Sequence, residues 1–408
     1  MTNNLNCRIS DQELIEIINF GNQPLGNGFL QEGNFNKEYF FEMKLGFCAE
    51  SKMVQLFNQP KSEKMFNENY LFFSETSKYM QVYFEDLFKN FLSNDYINKN
   101  KFIIEIGCND GIFLKHAAKN NIKCLGIEPS KNVAEISKNK GIEVINNFFT
   151  SKLCNEIIND HGKVDLIYAA NVMCHIEDIK DVIYGASLLL SDKGLLVFED
   201  PYLLDIIEKT SYDQIYDEHV YLFSLTSVEK LVNLFGLEIF HAERTNTHGG
   251  SMRYYISKKN NYNKSENALN YFNKEKKIDL SDVNTYFKFK KNVENSKNDL
   301  INLLNQLKKN GKKISGYAAT SKSTTILNYC KIDSELIECI YDTTPQKIGL
   351  FSPGMHIPVC DFKAFYEAYP DYAFLFAWNH FKEISNKEKK FVESGGKWIT
   401  HVPNVSLI

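Results

Sequence analysis

The chain has 408 residues, more than one hydrophobic core usually supports, so two or three domains are expected and a single small module is excluded. Apolar residues make up 43% and charged residues 24%, and the formal net charge is -4. That balance gives no electrostatic reason to expect nucleic acid or an anionic membrane as a partner.

The opening segment MTNNLNCRISDQ has no basic stretch followed by an apolar run, and nowhere does the chain reach the roughly 18 apolar residues of a membrane helix. A soluble, cytoplasmic protein is therefore the expectation. Nine cysteines at irregular spacing read as reduced thiols rather than a disulfide framework. The first 85 residues are turn-rich, with short strand signals such as MVQLF, and read as a small separate lobe.

Residues 101–200 alternate short β-rich runs (KFIIEIG, IKCLGIEP, VDLIYAAN, GLLVFED) with helical patterns, the order expected of a doubly wound parallel sheet. The first of these strands runs through Glu105 into the turn Gly107-Cys108-Asn109-Asp110-Gly111, which opens a helix. Such a turn lets backbone approach a ligand at the carboxyl edge of a sheet. A dinucleotide fingerprint needs G-x-G-x-x-G, and Gly107-x-x-x-Gly111 does not supply it, which disfavours nicotinamide. Glu128 ends the next strand, where a carboxylate can accept both hydroxyls of a ribose. With Glu105 and Asp110 beside the turn, the group suits an adenosine carrying positive charge, the profile of S-adenosylmethionine. Taken alone, these residues are equally a plain strand-to-helix turn. The ordered succession of Asn146-Asn147-Phe148-Phe149, a strand from Asp165 to Asn171, and Ser191-Asp192-Lys193-Gly194 before another strand matches class I methyltransferases.

Further along, Tyr216-Asp217-Glu218-His219 packs a phenol, two carboxylates and an imidazole into four residues of irregular chain, a density that suggests a site, although a polar loop capping a helix has the same composition. His175 follows the strand ending at Asn171 and could line the reaction site or donate to a ketone oxygen, or simply start a helix. The run Thr247 to Arg253 combines glycines with the donors of His248 and Arg253, a composition that can hold phosphate or sugar hydroxyls or make a hairpin turn. A Lys/Asn-rich stretch from Ser257 to about Lys277 reads as a boundary; beyond it Val293 to Lys309 has helical spacing, and KISGYAA, LIECIYD and YAFLFAW read as buried strands of a second α/β domain. In that domain the turn Gly316 to Thr324 offers backbone amides, Ser321, Ser323 and the charge of Lys322 to a diphosphate, without the glycine spacing of a phosphoryl-transfer loop.

Five of these stretches, EIGCNDGIFLKH, ANVMCHIED, YDQIYDEHVYLFSLTS, THGGSMRYY and GYAATSKSTTILNYC, occur in the order in which they run through the three-domain nucleotide-sugar C-methyltransferases, which the chain resembles over nearly its whole length. The resemblance implies a central class I methyltransferase domain (86–258) between a small N-terminal lobe of zinc-binding type (1–85) and a helical connection with a C-terminal Rossmann-like α/β domain (259–408). It implies that a methyl group from S-adenosylmethionine is transferred to a carbon, C3, of a nucleotide-linked 4-keto-deoxysugar after a base removes the adjacent proton. His219 is then the favoured base, with Glu218, Tyr216 and His175 as its companions and Tyr70 as a further substrate-site residue. Glu105, Gly107, Asn109, Asp110, Gly111, Glu128, Asn146, Asn147 and Asn171 are assigned to cofactor, and His248, Arg253, Ser321, Lys322 and Ser323 to the nucleotide-diphosphate sugar. The zinc pattern departs from the family: its two C-x-x-C pairs read Cys7-x-x-Ser10 and Cys48-x-x-Ser51, two thiols where four are wanted, so no metal is expected. A sugar O- or N-methyltransferase, or a non-catalytic sugar-nucleotide binder, are the rival readings; a monomer or weak oligomer is expected.

Overall fold

The computed structural model describes residues 5–61, Met65, Glu75 and 78–408. Three sheets follow one another along the chain. The first joins β1 (Ile15–Pro24), β2 (Phe40–Phe47) and β3 (Val54–Leu56) as an antiparallel meander. Two tight turns, one before β1 and one between β2 and β3, are each closed by the amide of the fourth residue on: Asp11 N–H to Cys7 O at 2.9 Å and Lys52 N–H to Cys48 O at 2.9 Å. Both closing residues sit at φ +59°, so the turns are copies of one another. They bring Cys7 Sγ to 3.2 Å from Ser51 Oγ and Ser10 Oγ to 3.2 Å from Cys48 Sγ. Four side chains converge as in a zinc knuckle, but two thiols and two hydroxyls do not fit a structural zinc ion, which takes four Cys or His ligands.

The second sheet begins with β4 (Phe102–Ile106), β5 (Lys123–Ile127) and β6 (Glu143–Ile145), then β7 (Val164–Ala170) and β8 (Leu190–Pro201). Every residue of β4 is buried, as a parallel strand covered on both faces requires. After β8 the chain returns to the first sheet as β9 (Tyr221–Leu222), paired with β3, before completing the second with the hairpin β10 (Leu237–Thr245) and β11 (Ser251–Lys258). The strand order β10-β11-β8-β7-β4-β5-β6 is parallel except at β11, and it reverses direction between β4 and β7. Ligands of such sheets bind at that switch point, beyond the carboxyl ends of the strands.

The third sheet has β12 (Ile314–Tyr317), β13 (Ile340–Asp342), β14 (Val359–Asp361), β15 (Tyr372–Leu375), β16 (Lys397–Thr400) and the antiparallel edge β17 (Ser406–Leu407), in the order β14-β13-β12-β15-β16-β17. Its own switch point lies between β12 and β15. The helix leading into it runs over Val283–Lys309, ten residues longer at its start than the spacing predicted, because Tyr286 and Phe289 extend the buried stripe and Asp282 caps the first turn. Helix Lys78–Ser93 packs Phe84, Leu87, Phe88 and Phe91 on the outer face of the second sheet, whereas one continuous core joins the inner face of that sheet to the first and third. All nine cysteines carry free thiols. Among the described residues no helix is long and apolar enough to cross a membrane.

Candidate active site

Leaving β4, the backbone takes positive φ at Gly107 (+65°), Asn109 (+48°) and Gly111 (+78°). A Cβ at residue 107 would stand 2.5 Å from Val172 Cγ2, so both the backbone angle and the space require glycine. The Glu128 carboxylate accepts the amides of Asn109 at 3.0 Å and Ser130 at 2.8 Å, and Asn146 clamps the carbonyls of Glu128 and Pro129 from behind. Burial first, and repulsion among neighbouring carboxylates second, push Glu105 well above the usual carboxylate range; burial also raises Glu128 and Asp110. Among the described residues, Glu105 Oε2, Asp110 Oδ1 and Asn171 Oδ1 are buried without a hydrogen-bond partner. Acceptors crowded this way fit a ligand that carries positive charge, and the residues therefore fit S-adenosylmethionine.

Gly107, Asn109, Glu128, Asn147 and Asn171 line a cavity of about 480 Å³, and so do His175, Tyr216, Glu218, His219, His248, Ser321 and Lys322. One space thus runs from the switch point of the second sheet to that of the third. Glu105, Asp110, Gly111 and Asn146 lie behind its wall and shape the turn. Ser323 is also behind it, donating its hydroxyl to Thr320 O at 2.5 Å. The structure does not bring Arg253 to the cavity. Its guanidinium is buried against Glu199 at 2.9 Å and Glu243 at 3.0 Å, because the β11–β8 register sets it opposite Glu199. Tyr70 lies outside the described residues. Asn27, His380 and Asn379 line the cavity without having been singled out in the sequence. A carboxamide between Gly26 and Gly28 in a turn was the only local signal for the first.

At the centre, His219 Nδ1 lies 2.8 Å from Gln214 O and Nε2 lies 3.0 Å from the Tyr216 hydroxyl. A carbonyl can only accept, so the proton resides on Nδ1, and Nε2 accepts from the phenol. Burial, then the neighbouring His175, holds the His219 imidazole well below its ordinary pKa and therefore neutral. The His175 ring stacks 5.2 Å away and is pushed down to about 4 by burial. Burial pushes Glu218 up to about 7 against the opposing effects of Asn27 and Lys347. Cys174, His175 and His219 each offer a ligand atom within 4.8 Å of the others, and in this arrangement both nitrogens of His219 are engaged by Gln214 O and the Tyr216 hydroxyl.

At the far end, Thr320 caps helix Ser321–Cys330 through the amide of Ser323 at 3.2 Å. Lys322 reaches toward His248 O at 3.4 Å and lies over the Trp378 ring at 5.6 Å; burial lowers its ammonium to about 8. His248, at φ +51° in the β10–β11 turn, is held near 3 by burial.

Three family profiles match in succession: a zinc binding domain over residues 7–66, a methyltransferase domain over 77–242, and a C-methyltransferase C-terminal domain over 246–403. The C-methyltransferase NovU of Streptomyces niveus is 27% identical over 405 residues, covering 98% of this chain and 96% of its own. Solved structures similar to part of the chain include magnesium protoporphyrin IX methyltransferase (ChlM) from Synechocystis PCC 6803 with bound SAM, 13% identical with a TM-score of 0.34, covering 44% of this chain and 79% of that one. Another is a S-adenosylmethionine-dependent methyltransferase from Clostridium acetobutylicum, 12% identical with a TM-score of 0.35, covering 45% and 93%.

Proposed function

The chain belongs to the three-domain, S-adenosylmethionine-dependent C-methyltransferases, and from that premise we propose that it methylates C3 of a nucleotide-linked 4-keto-deoxysugar. The observation that carries the reading is the single cavity that joins Gly107 and Glu128 to His219 and ends at Ser321 and Lys322. S-adenosylmethionine supplies an electrophilic methyl on a sulfonium centre when bound. Glu128 accepts from ribose hydroxyls, Asn171 offers its unpartnered carbonyl, and the acids behind the turn complement the positive charge.

His219 Nε2 is the base for the proton on the carbon beside the ketone. In the resting site that nitrogen holds the Tyr216 hydroxyl proton, so the phenol must turn away before the imidazole can act. Once turned, Tyr216 can donate to the ketone oxygen as the C–H electron pair delocalises onto it; the same pair would then bond the methyl carbon while the methyl–sulfur pair stays on sulfur, leaving a neutral thioether. Acid–base transfer of this kind contributes ~10²–10⁴-fold, and a donor aimed at the developing oxyanion a comparable factor. Ser321, Lys322 and the helix N-terminus behind them hold the diphosphate, and His248 faces the sugar.

The reading is tested by incubating the protein in D₂O with a panel of 4-keto nucleotide sugars and no cofactor. Deuterium should enter at the carbon adjacent to the ketone of at least one member. Absence of exchange across the panel would refute base-catalysed C-methylation and favour transfer to a sugar oxygen or nitrogen, which needs no enolate.

A further inference from the structure

The turn Leu25–Gly28 of the N-terminal lobe reaches between the other two lobes. Gly26 N–H donates to Asp217 Oδ1 at 2.8 Å, and Thr324 Oγ1 donates to Gly26 O at 2.9 Å, so the turn is pinned on one side to the loop that carries His219 and on the other to the helix that begins at Ser321. Between those pins Asn27 makes a bridge. Its Nδ2 donates to Glu218 Oε1 at 2.7 Å, and its Oδ1 accepts from Ser321 Oγ at 2.9 Å. When Glu218 is ionised its carboxylate can only accept, and the arrangement meets this, with Nδ2 facing Glu218 and the carbonyl facing the serine. The two partners lie 191 and 294 residues away in the chain, and among the described residues the carboxamide alone is hydrogen-bonded to both side chains.

We propose that Asn27 is a positioning residue that couples the phosphate-facing turn at Ser321 to the Glu218 carboxylate, so that the N-terminal lobe serves the reaction centre by hydrogen bonding rather than by holding a metal. This rests on the reading of Glu218 and Ser321 as substrate-facing groups. The geometry gives the coupling a direction. When Ser321 donates to Oδ1, the amide N–H bonds are polarised and the bond to Glu218 strengthens; a phosphate that competes for the serine hydroxyl weakens it. Other groups facing Glu218 are Asp217 beside it, the Cys174 thiol and the Lys347 ammonium; among the described residues the Ser321 hydroxyl is hydrogen-bonded to Asn27 and to none of these.

The test reads Glu218 directly. In substrate-free protein carrying ¹³C-labelled glutamate, the Glu218 carboxyl is assigned by its loss in Glu218→Gln and titrated by NMR. Asn27→Ala, and the isosteric Asn27→Leu should the first fail to fold, remove the donor, and the midpoint of Glu218 should rise by about one pH unit, a tenfold change in its ionisation constant. Ser321→Ala should raise it by less, and should add nothing in the Asn27→Ala background. An unchanged midpoint without Asn27, or a Ser321→Ala effect of equal size with and without it, would overturn the proposal. The titration uses no substrate, so a wild-type chain that exchanges no deuterium in any 4-keto nucleotide sugar sinks the functional reading without deciding this one. Where turnover is measurable, the limb of the kcat profile that follows Glu218 should move to higher pH in Asn27→Ala; a change confined to KM contradicts the coupling.

Discussion

Because the Gln214 carbonyl can only accept, His219 keeps its proton on Nδ1 and presents Nε2 as a lone pair, and burial ensures that the ring stays neutral through the physiological range. His219→Ala should therefore lose roughly 10²-fold or more in turnover while calorimetry still detects S-adenosylmethionine binding; unchanged turnover would remove this residue from the chemistry. Asp200, at the end of β8, shows the opposite titration. Burial pushes its carboxyl up to about 8, opposed by the Cys174 contact and reinforced by the Glu199 charge. With a folded pKa above the unfolded value of about 3.9, its protonated form contributes stability that is complete below about pH 4 and is lost as pH rises toward 8. Asp200→Asn is neutral throughout, so its melting temperature should gain on the wild type between pH 5 and pH 8. A gap that stays constant across that interval would mean that Asp200 is ionised in the folded protein.

The strand-turn-helix element from Phe102 to Lys119 owes its shape to glycine at residue 107. Gly107→Ala adds a methyl 2.5 Å from Val172 at a left-handed φ, a strain of about 1–2 kcal/mol before any contact with ligand. The expected result is at least about tenfold weaker S-adenosylmethionine binding in a protein that still folds, measured by calorimetry; wild-type affinity would show that the turn relaxes at no cost. The paired N-terminal turns invite the converse experiment. Cys7, Ser10, Cys48 and Ser51 already converge with matching backbone, and only the chemistry of two atoms departs from a zinc site. Ser10→Cys with Ser51→Cys should bind one zinc ion and gain thermal stability from it, whereas the wild-type lobe should be indifferent to chelators. Metal analysis of both proteins decides this, and loss of wild-type stability on chelation would mean that the hydroxyls or nearby acids do serve as ligands.

Over the whole molecule, the cavity lies where elements of three sheets meet, and contacts outside its lining hold them in place. Leu30 pairs with Phe351 as an isolated antiparallel bridge, and beside it the carboxylate of half-buried Glu38 accepts from Gly354 N–H and His356 Nε2, both at 2.7 Å. Phe35 stacks on the His356 ring at 3.8 Å. Glu38→Ala should cost about 1–3 kcal/mol in denaturant unfolding by leaving those donors unpaired, and should lower turnover by letting the Asn27 turn drift. Full stability would show that the bridge and the ring stack suffice. β9 makes a second tie of this kind, since a strand from the segment after His219 completes the N-terminal sheet.

What the sequence determined by itself was local: a buried strand, a glycine turn and an acid some twenty residues later are consequences of neighbours along the chain, and so is the order of the βα units. The same holds for the density of acid–base groups at Tyr216 to His219 and for the absence of two zinc ligands. Tertiary structure decided which of two equally polar side chains faces the cavity. His248 and Arg253 stand five residues apart around one hairpin, yet the register of β11 against β8 turns Arg253 toward Glu199 and leaves His248 at the site. It also decided the part played by Asn27, whose partners are brought within hydrogen-bond reach only by the packing of three sheets, a relation no local pattern encodes. Propensity and spacing act over a turn or a strand, while the choice of face and of distant partner follows from burial, which only the assembled core can set.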